Sequence, residues 1–192
     1  KLLETLYAPI GSLFDKLRIL KLRFVEPEDE RLTEISTMKF LKDEGFSSEI
    51  IEQFFRPFFS GVFLERELQT PASFFAYLYR LFAVSEVAVP KQGMGQLALQ
   101  LADHTSFSVR LGETVDIRTL KSSYDYVIQA YNSWETGARK VTTDYFISKT
   151  LNTQLPILYL NGNNTGLINH LAPMSTVSKA YSSDDKSLLS VN

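Results

Sequence analysis

The chain has no cysteine, which excludes disulfide cross-links and thiolate chemistry and leaves every redox compartment open. Long hydrophobic runs are also missing: nothing approaches the ~18 apolar residues that mark a membrane span, and no charged-then-apolar signal pattern opens the chain. The formal charge is only -2 over 192 residues, so no basic surface is available to follow a nucleic-acid backbone. These absences lead us to expect a cytoplasmic protein with no transmembrane segment and no nucleic-acid partner.

Catalytic signatures are equally sparse. There is no G-x-G-x-x-G after a strand, no G-x-x-x-x-G-K-[ST], no H-E-x-x-H and no G-x-S-x-G. The two histidines, His104 in a loop and His170 in a strand, lie in unlike contexts, and without cysteines they do not suggest zinc. We therefore expect no metal site. The carboxylate pairs Glu65 with Glu67 and Asp184 with Asp185 read as solvated surface groups, and no catalytic residue is assigned.

What is present is a core-forming composition, 44% hydrophobic and 22% charged, typical of a globular domain. The chain begins KLLETLYAP, without an initiator Met and already inside an apolar periodicity, and it ends KSLLSVN, which alternates like a strand. Because domain boundaries usually fall in polar linkers, we expect a piece of a longer polypeptide, incomplete at both ends.

Residues 1–103 read as helical. Leu13, Leu17, Leu20 and Phe24 form one apolar stripe, expected to face the core. Ser36 or Thr37 caps a short helix over Met38 to Glu44 that ends at Gly45, and Ser47 starts another that Pro57 interrupts. Thr70 caps a third, with Pro71 in its first turn. Residues 104–192 read as mainly β. SFSVRL, DYVIQA, VTTDYFIS, PILYLNG and KSLLSVN are expected strands, GLINHLAPMS adds a sixth, and Asn161 to Gly166 forms a hairpin turn. The fold class is α+β, a helical cluster followed by a mostly antiparallel sheet.

Two stretches invite a functional reading. In QFFRPFFSGVF, Arg56 stands among five phenylalanines. This fits a core helix with a surface-reaching arginine, the wall of an apolar ligand cavity with Arg56 facing an anionic group, or peripheral contact with a membrane. In VPKQGMGQLALQLA, Gly93 and Gly95 flank Met94 where a helix begins over Gln96 to Asp103. They either make the turn or allow something to approach the backbone closely.

Taken in order, FFRPFFSGVFLERELQTPASFF, VPKQGMGQLALQLA, VRLGETVDI, YDYVIQA and PILYLNGNNTGLINHLAPMS resemble the flavin-containing amine oxidase superfamily. The branch most similar is that of protoporphyrinogen oxidase and phytoene desaturase, and the part resembled is the substrate domain. The resemblance implies an FAD-dependent oxidoreductase that passes a hydride from an apolar or amine substrate to flavin. On matching positions it places Gly93 and Met94 beside the cofactor, Val115 at the adenine, Ala130 near the dinucleotide, and Arg56 and Phe59 on the substrate side. Gln92 stands where that family has a glycine. The dinucleotide fingerprint is absent, so the chain alone is expected to bind FAD poorly and to be inactive. The alternative is a non-catalytic module that binds an apolar ligand or a partner protein.

Overall fold

A computed structural model describes residues 9–130, 139–151, 155–163, 165–183 and 186–192. The chain forms two compact units, one made of residues 1–91 and 139–192 and the other of residues 92–138.

The first unit opens with helix α1 (Leu13–Leu22), started by a capping box in which Ser12 and Asp15 exchange hydrogen bonds. Two short helices follow, α2 (Glu30–Thr33) and α3 (Thr37–Asp43), the latter capped by the Ser36 hydroxyl. Ser47 caps α4 (Ser48–Ile50), which runs directly into a π turn (Ile51–Phe55) and then α5 (Arg56–Phe63). Helix α6 (Ala72–Val84) begins one residue later than expected, with Pro71 as its N-cap residue.

Pro57 does not end its helix, contrary to expectation. The Arg56 N–H reaches back five residues to the Ile51 carbonyl, so the widened turn accommodates a residue that lacks an N–H and would collide in a regular α-helical turn. The rod continues to Phe63 and stops at Leu64, which adopts a left-handed conformation at φ 54°.

The core is a phenylalanine cluster. The Phe75 ring lies 4.7 Å from that of Phe59 and 5.9 Å from those of Phe55 and Phe40, and all four are buried. Leu32, Leu41, Ile50, Ile51, Phe63 and Leu68 complete its walls. Replacing such a central ring by alanine typically costs about 3–5 kcal/mol.

Of the stripe expected to face the core, Leu20 is half-buried and the other three residues point outward. Leu13, Leu17 and Phe24 are 61%, 47% and 72% exposed, whereas Asp15 and Leu22 are buried. A hydrophobicity pattern could not find this face because its anchor is a carboxylate.

Strands β1 (Asp144–Ser148), β2 (Tyr159–Leu160), β3 (His170–Pro173) and β4 (Ser187–Val191) form a sheet in the order β1-β4-β3-β2. All pairs are antiparallel, with Phe146 opposite Leu189, Ala172 opposite Ser190 and Tyr159 opposite Leu171. The β2–β3 turn is held by Asn161, whose amide donates to the Thr165 and Ile168 carbonyls, 2.8 Å each. Between β3 and β4 lie α9 (Met174–Val177) and a 3-10 turn (Lys179–Tyr181), numbered after the two helices of the second unit.

That second unit contains α7 (Gly95–His104) and α8 (Ile117–Ser123). SFSVRL and DYVIQA, expected as strands, are irregular here: among the described residues of this unit neither has a strand to pair with, and an extended segment without a ladder does not hold. Helix α8, which the alternation concealed, starts where the Asp116 side chain accepts the Arg118 N–H. His104 is the last residue of α7 rather than a loop residue. The observed class is α+β, as expected.

Candidate functional site

The glycine pair has two different roles. Gly93 has φ +100°, a conformation that side chains disfavour, whereas Gly95 opens α7 without positive φ. A Cβ at either position would meet nothing within 4 Å, so the described chain itself imposes no close approach there. Met94 is exposed and is the N-cap residue of α7, an end with no side-chain cap.

In the first unit, the segment leading to this turn is anchored. The Tyr181 hydroxyl donates to the Pro90 carbonyl at 2.8 Å, and the Ser178 hydroxyl to the Lys91 carbonyl at 3.2 Å. These residues are about ninety positions away in sequence, so no local pattern could have identified them.

Val115 lines an open concavity of about 360 Å³ together with Leu120, Tyr124, Tyr126 and Ile128. Arg110 and Glu113 form a 3.0 Å ion pair on its lining. Gly93, Met94 and Ala130 are not among the lining residues, and Ala130 is exposed.

Arg56 and Phe59 lie on one rod in the first unit but in different environments. Phe59 is buried in the phenylalanine core. The Arg56 guanidinium grips Glu52 through two hydrogen bonds, 2.7 and 2.9 Å, and also donates to the Arg66 carbonyl. Glu67 approaches to 3.5 Å. The hydrogen bonding to Glu52 holds the Arg56 pKa above its ordinary value against the opposing effect of burial.

Of the Glu65–Glu67 pair, Glu67 is an exposed surface group as expected, whereas Glu65 is half-buried and engaged. Glu65 accepts from the backbone and hydroxyl of Thr70, at 2.9 and 3.0 Å, and Glu67 faces Arg56. Asp184 and Asp185 lie outside the described residues. Among the described residues no cluster of three potential metal ligands occurs, and no helix is long and apolar enough to cross a membrane.

His170 packs on the helix rod. An added Cβ at Gly61 would lie 2.8 Å from its Cε1 and 3.0 Å from its Nδ1. Burial lowers the His170 pKa and favours the neutral ring.

The first unit is a helical cluster with an antiparallel sheet, and the second holds the glycine-turned start of α7 and, separately, the concavity lined by Val115. Residues 2–145 match the family model described as flavin containing amine oxidoreductase, and the chain belongs to that family. Comparison with curated proteins and with solved structures gives no match.

Family membership implies a flavin cofactor. Of the residues that bear on such a group, the Gly93 turn has open space around it, the start of α7 has no side-chain cap, and Val115 lines a concavity that also carries the Arg110–Glu113 ion pair. The sequence contains no glycine-rich phosphate cradle.

Proposed function

We propose that this chain is the substrate-domain portion of an FAD-dependent oxidoreductase of the protoporphyrinogen oxidase and phytoene desaturase-like branch. Its reaction is removal of a hydride from an apolar or amine substrate. When bound, the flavin supplies the two-electron acceptor, and the protein's work is orientation and exclusion of water.

The match across residues 2–145 carries this reading. On it, Gly93 and Met94 border the flavin at the start of α7. Val115 offers its backbone to the adenine within the concavity, and Ala130 lies near the dinucleotide. Arg56 and Phe59 serve the substrate side as positioning residues: Phe59 from the core, and Arg56 by tying the rod to the loop at Arg66 and Glu67. The chain alone, lacking the phosphate cradle, is inactive.

The test is the visible absorption spectrum of protein purified from the complete reading frame. A flavin spectrum that survives desalting is expected. A folded, colourless product that stays colourless with added FAD replaces this reading with a non-catalytic module that binds an apolar ligand.

A further inference from the structure

The first unit holds a second cleft, of about 460 Å³, between the π turn and the β2–β3 hairpin. Ile10, Phe54, Leu158 and Leu160 supply apolar lining, and Gln53 and Asn163 supply amides. Every lining residue is formally uncharged.

Both walls are fixed. The hairpin turn is tied by Asn161, which also accepts the Asn163 N–H at 3.2 Å. Gly162 stands so close to the rod that a Cβ there would lie 3.3 Å from the Gln53 carbonyl oxygen. That carbonyl belongs to the π turn, and Pro57, four residues on, has no N–H to offer it. Such turns recur at functional sites.

We propose that this cleft binds a neutral, largely apolar small molecule carrying one hydroxyl or amide group. Its volume is within the range of small-molecule sites. Carboxamide side chains both donate and accept, so they suit a neutral polar group, whereas an ion among uncharged residues loses hydration without gaining a counter-charge. The arginine of the same rod, Arg56, is already engaged by Glu52 and Glu67. The inference goes beyond the flavin reading and stands without it.

The test is titration of this chain, methyl-labelled at Ile and Leu, with octanol, octanoate and octylammonium in parallel. Octanol is expected to shift the methyl resonances of Ile10, Leu158 and Leu160, with the two ions about tenfold weaker or more. Leu158→Lys, at an exposed position, should abolish the octanol shifts at Ile10 and Leu160 without changing the circular dichroism. Should that variant not fold, Asn163→Asp, on the exposed turn, is expected to weaken octanoate further and favour octylammonium. The proposal is overturned by no shifts, by shifts centred on core residues such as Leu41, by octanol shifts that survive Leu158→Lys, or by an ion binding as tightly as octanol.

Discussion

Asp15 and Ser47 join two helix starts across 32 residues: the Ser47 N–H donates to Asp15 Oδ1 at 2.8 Å, and its hydroxyl to Oδ2 at 2.7 Å. The same carboxylate accepts the N–H and hydroxyl of Ser12, at 2.8 and 2.7 Å. Four donors converge on one buried anion, which thereby orders both α1 and the π-turned rod. Burial alone raises its pKa, but the Ser47 and Ser12 hydrogen bonds outweigh that and bring it from 3.8 to about 2.

Asp15→Asn should therefore destabilise the fold by about 2–4 kcal/mol, because it removes the anion and turns an amide toward groups that already donate. Urea unfolding measures this. The pKa is lowered on folding, so the Asp15 contribution is complete above the unfolded carboxyl range and is lost as pH falls from 3.8 through about 2. The acid loss of stability should be smaller in the variant than in the parent over that window, and equal losses would contradict the assignment.

Gly61 and His170 form the second test. Alanine in a helix interior is normally favoured over glycine by about 0.5–1 kcal/mol, yet here its Cβ would press on the imidazole. Gly61→Ala should be destabilising in the parent and stabilising when His170 is also alanine. Burial lowers the His170 pKa below 6.5, so the unfolded chain takes up the proton first and stability falls as pH drops below 6.5 toward the folded-state value. His170→Gln should lack this component. A double-mutant cycle with no coupling, or an unchanged pH profile, would sink the argument.

For Arg56 the choice lies between framework and anion receptor. The guanidinium spans Glu52, the Arg66 carbonyl and Glu67 from a side chain only 13% exposed. Arg56→Lys keeps the charge but loses the planar fork, and should cost about 1–3 kcal/mol of stability. If the complete reading frame encodes the proposed flavoenzyme, the substitution should change its KM for uncharged and anionic substrates alike. A selective rise in KM for anionic substrates, with stability intact, would instead make Arg56 a direct anion contact.

Local chemistry was legible in the sequence; contacts between distant segments were not. Ser47 caps its helix as read, and Ser36 is the one of the two offered residues, Ser36 or Thr37, that caps the other, because capping needs only a hydroxyl next to the first turn. The Asn161 turn was equally readable. By contrast, SFSVRL carries strand composition without a partner strand among the described residues of its unit, and Pro57 sits in a helix because the π turn admits it. The inward face of α1 depends on Asp15 meeting Ser47, a pairing that periodicity cannot contain. The glycines around Met94 were legible as a pair, but the difference between them lies in a dihedral angle.

That difference supplies the last test, because Gly93 and Gly95 make opposite predictions. With φ +100°, Gly93→Ala should lose about 1 kcal/mol or more from backbone strain despite the open space around it. Gly95, at the start of α7 and equally open, should tolerate alanine or gain about 0.5–1 kcal/mol. The thermal unfolding midpoint should therefore fall for Gly93→Ala and hold or rise for Gly95→Ala. On the proposed reading, in which flavin lies against the start of α7, this open position becomes a sensitive one: in protein from the complete reading frame, Gly95→Ala should retain stability but release flavin more readily on desalting. If Gly95→Ala holds flavin as firmly as the parent, the glycine serves the turn into α7 alone and the backbone there makes no close contact with the cofactor.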